Sequence, residues 1–313
     1  MPTAEKTKPA ERRVFASVLA SGCGSSDDGG LALGRRGIVA VFYLYGDDSA
    51  DEKRERVCAV GVVAGPEEMW EAIEPKWIER NNGIPFHAKD CESDQGDYAN
   101  FTHQENKALY RDLTTMLVDS GLGGVGISID LVAQKKIFPN ALDLAYYKAF
   151  MEILERTRVF VVRQKALAKF TFDISTENEY NAGLLYATVR ENEPDCFKHF
   201  DPEISFVPAK ESARVQAGDL MAYEAMKALD HTVGPRKRRR ASWDALRATE
   251  RFEVFSYSED WLSGLKNDMA NLEKKLGYSQ ESYVNWLKEK NRQHSVSNLF
   301  HFTNHKWKQT NKK

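Results

Sequence analysis

Short uncharged runs alternate along this chain with longer stretches whose apolar residues recur at helical spacing. The first run, Ile38–Gly46, is rich in β-branched and aromatic residues and too short for a typical helix, so it predicts a strand. Apolar residues fall on both of its faces, as in a central strand covered by other layers. Asp47 and Asp48 follow at its end. Val57–Val63 predicts a second strand, antiparallel to the first across the charged connection 50–56. Gly65 and Pro66 then open a helix with Met69, Trp70, Ile73, Trp77 and Ile78 on one side, which Pro75 should kink or split.

Phe86–Asp90 reads as a loop. Thr102-x-x-Glu105 is a capping box that starts a helix carrying Leu109, Leu113, Met116 and Leu117 and ending at Gly121. Val125–Leu131 is the third strand. Asn140 caps a long helix with Leu144, Tyr147, Met151 and Leu154 in its stripe. In the fourth strand, Lys169–Ser175, alternation puts Phe170, Phe172 and Ile174 on one face and Thr171 and Asp173 on the other. A helix at Glu179–Arg190 precedes a last strand at Ile204–Val207, and Ser212 leads into the helix Ala213–Leu229. Helical patterns return at Trp261–Leu276 and Tyr283–Leu287. This order predicts an α/β fold, a mixed five-stranded sheet with helices on both faces. Residues 1–36 read as a flexible extension, 37–231 as the body, and 232–313 as a basic linker with a C-terminal helical extension.

Composition narrows the partners. The chain has 313 residues, 42% of them hydrophobic, and a net charge of −2, so any attraction to nucleic acid must come from a local patch. Such a patch is Arg236, Lys237, Arg238, Arg239 and Arg240, where each cation could add salt-sensitive phosphate affinity; a solvated loop reads equally well from charge alone. Four scattered cysteines without a C-x-x-C pair argue against a thiolate zinc site and for a reducing, cytoplasmic setting. No apolar run reaches the roughly 18 residues of a membrane span. Arg12-Arg13 before Val14–Ala20 and Cys23 imitates an export signal with too short a core. Gly121-x-Gly123-x-x-Gly126 runs from helix into strand, the reverse of a pyrophosphate cradle.

The acids carry the candidate chemistry. Asp47 and Asp48 end the first strand, Asp173 lies near the end of the fourth, and Asp219 falls on the apolar stripe of a helix, beside Gly218. Acids from separate elements that met at one point would repel each other unless a cation neutralised them. Hard oxygen ligands suit Mg²⁺ or Mn²⁺, and two such ions about 4 Å apart can drive phosphodiester hydrolysis. The plainer alternative has Asp173 capping a helix and Asp219 paired with a core cation such as Arg214. His87 is either a packed loop residue or, oriented by Asp90, a proton-transfer or metal-binding group.

Four blocks resemble one family. Tyr45-Gly-Asp47-Asp48-Ser49-Ala50 resembles the Asp-Glu-Ser-Gly opening of the bacterial family catalogued as domain of unknown function 3800. Phe86-His87-Ala88-Lys89-Asp90 is similar to its Phe-His-Ala-Lys block, Phe172-Asp173 to its third block, and Gln216-Ala-Gly-Asp219-Leu220 to its closing Gln-x-Ala-Asp-Leu helix. The resemblance spans about 38–229 and implies a ribonuclease H-like fold of the retroviral integrase superfamily. It implies metal-binding acids at Asp47, Asp173 and Asp219, with Asp48, His87 and Asp90 accessory. Asp48 stands in place of the family's Glu, and Ala50 in place of its Gly. A Mg²⁺- or Mn²⁺-dependent nuclease acting on RNA or DNA is the expected activity. A non-catalytic protein that binds nucleic acid, or docks a partner or a second copy through its C-terminal helices, is the alternative.

Overall fold

The strand expected to stop at the acids does not stop there. In the computed structural model, which describes residues 40–139, 145–174, 179–192, 194–235 and 237–276, β1 spans Val41–Ala50 and includes Asp47 and Asp48. The reason is its partner. β2 (Val57–Gly65) pairs antiparallel along the whole length, from Tyr43 opposite Gly65 to Ala50 opposite Cys58, so the ladder carries β1 past its carboxylates. Asp51 closes the hairpin by accepting from the Arg56 and Val57 amides at 2.8 and 2.9 Å.

β3 (Gly123–Asp130) pairs antiparallel with β2, and β4 (Leu167–Asp173) lies parallel to β1. β5 (Phe200–Val207) is parallel to β4. The expected five strands become six: β6 (Phe252–Tyr257) adds parallel to β3, giving the order β5-β4-β1-β2-β3-β6. The sheet thus draws on residues beyond Thr232, where the composition change suggested an extension. β6 escapes sequence reading because it is short, sits at an edge and carries Glu253 among its apolar residues.

Helices cover both faces. On one face lie α1 (Glu67–Arg80), α2 (Ala88–Ser93), α3 (His103–Asp119), α7 (Ala213–Val233) and α8 (Ala241–Ala248). Trp70, Trp77, Phe86, Leu113 and Leu220 pack there against Val57, Ala59 and Val63. On the other, α4 (Leu131–Ile137), α5 (Ala145–Gln164) and α6 (Glu179–Asn192) cover Phe42, Leu44, Val60, Val62 and Ile127. α9 (Glu259–Leu276) follows β6. Asn140–Leu144, Ser175 and the pattern at Tyr283–Leu287 lie outside the described residues.

Local expectations mostly hold where capping or periodicity carried them. Both hydrogen bonds of the Thr102–Glu105 box form, and Ser212 caps α7 through the Val215 amide at 3.3 Å. Pro75 does not split α1, which is one continuous helix with Pro75 on its exposed side. Ile78, expected in the buried stripe, is 48% exposed. Cys58 and Cys91 are free thiols, each pushed up to about 12 by burial. No helix among the described residues is long and apolar enough to cross a membrane.

α7 approaches the sheet closely because glycines leave room for it. Gly61 and Gly126 face each other across β2 and β3. A Cβ on Gly61 would lie 2.3 Å from the Ala222 amide nitrogen, and one on Gly126 2.5 Å from the Ala225 Cβ. Gly61→Ala must push helix backbone away, so it is expected to cost about 3 kcal/mol, read as a lower urea midpoint. An unchanged midpoint would show that α7 is not seated on β2.

Candidate functional site

Strand register and the same close packing decide where the acids point. Asp47 pairs with Gly61, whose Cβ direction runs into α7, so Asp47 faces α7. Asp48 pairs with Val60 of the opposite core and faces the α5 layer. Asp48, expected as an accessory acid, thus lies on the other face of β1 from Asp47, because consecutive strand residues point to opposite faces. Phe172 of β4 pairs with Gly46 and packs in the α5-side core, so Asp173 turns to the α7 side, beside Asp47 on the neighbouring strand. Gly218 brings the third acid in. A Cβ there would lie 2.7 Å from the Gly46 Cα, which sets the next residue, Asp219, against the same part of β1.

Each of these carboxylates spends an oxygen on a backbone amide. Asp47 accepts from the Asp48 N–H, Asp173 from the Ala209 N–H and Asp219 from the Ala88 N–H, each at 2.6 Å. None of the three has an ion pair with Lys or Arg among the described residues. Arg214, the cation considered as a partner for Asp219, is instead held at 2.8 Å by both Glu67 and Glu74 of α1, with the Tyr45 hydroxyl at 3.0 Å.

Lack of compensation shows in the electrostatics. Asp219 is 3% exposed. Its carboxyl is raised to about 6, by burial foremost, while the His87 charge and the Ala88 N–H pull down and Asp173 and Asp90 push up. Asp47 is raised well above the usual carboxylate range by burial, then by the charges of Asp219, Asp48 and Asp173. Burial raises Asp173 as well, against the Ala209 and Ile174 amides and His87. The three acids therefore sense one another, and His87 senses two of them.

The segment expected as a loop ends in a helix. Phe86 is buried against the rings of Trp77, Tyr98 and Tyr110, and Ala88 is fully buried, so α2 starts there with His87 as its N-terminal flanking residue. His87 is left half-exposed above the acids, its Nδ1 2.8 Å from Asp90 Oδ2. Gly96 permits this: a Cβ there would lie 2.9 Å from that Asp90 oxygen.

Oxygen-only donors suit a hard divalent cation in chemistry. In placement they have not closed on one point: among the described residues no group of three or more His, Cys, Asp or Glu stands where it could hold a metal ion.

The basic run is divided. Arg236 lies outside the described residues. Lys237 bonds the Thr232 carbonyl, and Arg239 pairs with Asp244 at 2.5 Å while staying 86% exposed. Arg238 is exposed. Arg240 is a correction to the phosphate-contact reading, because its side chain is 8% exposed and binds Glu224 and Glu92. Sequence reading missed this buried cluster altogether, since Glu224 and Arg240 carry no signal of burial beyond the apolar stripe around Glu224.

Fold and site together define an α/β protein with a mixed sheet between helical layers and an uncompensated acidic focus on its central strand. No family model and no curated protein matches the chain.

Proposed function

We propose that the chain is a metal-dependent phosphodiesterase of the ribonuclease H-like kind, acting on RNA or DNA, and a member of the family its four sequence blocks resemble. The observation carrying this is that Asp47, Asp173 and Asp219, from three elements, lie toward one side of the sheet with no Lys or Arg of the described residues paired to them. Uncompensated buried carboxylates are costly to keep, and a binding site for a cation is a physical reason to keep them.

Asp47, Asp173 and Asp219 would hold Mg²⁺ or Mn²⁺ with the oxygens not engaged by amides. When bound, the cation supplies neutralisation of phosphate charge and Lewis-acid polarisation. The protein's own part is proton handling and orientation. Asp90 holds Nδ1–H of His87, which leaves Nε2 as the ring atom able to accept a proton from an attacking water. Asp48, on the opposite face of β1, adds its charge to those that raise Asp47.

Isothermal titration with Mn²⁺ tests the assignment. Asp47→Asn is expected to weaken uptake by about 100-fold or more, as for loss of a charged ligand, and Asp48→Asn by less than about threefold. Equal effects would remove the face-specific site. Wild-type protein that takes up no Mn²⁺ and cuts neither single-stranded RNA nor DNA would leave the second reading, a non-catalytic binding or docking protein, which the open placement of the acids favours. That reading expects salt-dependent, chelator-indifferent binding through exposed cations such as Lys237 and Arg238.

A further inference from the structure

Gln216 lies one turn before Asp219 in α7 and is 4% exposed. Both ends of its amide are engaged. Oε1 accepts from the Trp77 indole N–H at 3.1 Å and from the Asn81 amide at 3.4 Å, both on or just after α1. Nε2 donates to the Ala209 carbonyl at 2.9 Å. An indole N–H can only donate, so the amide cannot be turned the other way round. On the other side of its Cα, the N–H of the same residue, Ala209, donates to Asp173 Oδ1 at 2.6 Å. Ala209–Glu211 is a single turn between β5 and α7, with no other buried side chain to anchor it.

From this chain of contacts we infer that Gln216 is a positioning residue for the proposed site: it fixes the backbone at Ala209 by its carbonyl, and through the N–H of that residue the orientation of the Asp173 carboxylate. Trp77 and Asn81 tie Gln216, and with it Ala209, to α1, so the acid at the end of β4 is linked to that helix through two hydrogen-bonded residues. A Gln at this place in the closing block then has a task separate from that of the Asp three residues later. Glu in its place would set an oxygen against the Ala209 carbonyl, and Met would fill the same space without any hydrogen bond.

Gln216→Met in the full chain, read by NMR without metal, tests the link directly. A strong bond to a carboxylate moves the Ala209 amide proton downfield, and in Gln216→Met that shift is expected to be lost, as it is in Asp173→Ala. An Ala209 amide unchanged in Gln216→Met overturns the inference, whatever the protein's activity. The consequence for the site rests on the metal-binding reading and has its own measurement. Mn²⁺ affinity is expected to fall about tenfold in Gln216→Met, with no further fall when the change is made in Asp173→Asn, because the two act in series. A lower melting temperature with wild-type Mn²⁺ affinity would reduce Gln216 to a structural residue. Absence of Mn²⁺ uptake by the wild type counts against the metal site and leaves the amide result to decide the positioning role.

Discussion

Asp219→Asn is expected to abolish cleavage and, at the same time, to make the metal-free protein more stable at neutral pH. The two effects share one cause. Asp219 is buried without a cation, so its carboxyl is held at about 6 rather than the usual 3.8. A carboxyl raised in the folded state leaves that state binding more protons than the unfolded chain between these values. Stability therefore falls as pH rises from about 4 through 6 and stays lower above that window. The span corresponds to on the order of 3 kcal/mol at pH 8. Asn keeps an oxygen for the Ala88 N–H and has no charge to bury, so the variant should regain that amount, about 5 °C in melting temperature. The wild-type fall between pH 4 and 6 should be reduced in the variant. Saturating Mg²⁺ should raise the melting temperature of the wild type alone. A variant that melts lower than wild type at pH 8 and follows the same pH course would show that Asp219 is compensated, and the argument for a cation would go with it.

The second large effect is expected at Arg240. Its Nε lies 2.9 Å from Glu224 Oε2 and one of its terminal nitrogens 2.6 Å from Oε1, while another binds Glu92. Glu224 has no exposed side-chain surface. The Tyr110 hydroxyl and the Ser242 hydroxyl donate to the same carboxylate. Arg240→Met strands that charge among α3, α7 and α8, which should cost about 3–5 kcal/mol, measured as the shift of the urea midpoint. Adding Glu224→Gln should recover a good part, because the penalty belongs to the uncompensated carboxylate. Arg238→Ala, in contrast, should leave stability within about 0.5 kcal/mol. If the run meets nucleic acid through its exposed members, Arg238→Ala should also reduce the salt slope of binding by about one. An Arg240→Met protein as stable as wild type would mean that this cluster does not hold α8 to the body.

Both expectations turn on the same contrast. Glu224 and Asp219 are buried acids of one helix, five residues apart. Arg240 compensates the first, and no Lys or Arg is seen to compensate the second. Arg214, the nearest cationic neighbour by sequence, is used up by Glu67 and Glu74 in clamping α1 to the start of α7. The helix carries these two charges in different settings, one paired with a guanidinium and one, among the described residues, with no Lys or Arg beside it.

Much of the frame can be read from local rules. Val57–Val63, Phe170 with Phe172, the Thr102–Glu105 box and the Ser212 cap declare their elements because alternation and capping act within a few residues. The candidate acids Asp47, Asp173 and Asp219 stand out in the sequence as carboxylates in apolar settings. The sequence could not say that β1 runs on to Ala50, since pairing with β2 decides that, nor that β6 joins the sheet from beyond the basic run. Only the tertiary structure turned Asp48 away from Asp47, drew Arg240 inside and gave Arg214 to Glu67 and Glu74. The physical reason is one of range: periodicity and capping bind neighbours in sequence, whereas the partner of a buried charge is chosen by strand register and by how closely a helix can approach the sheet.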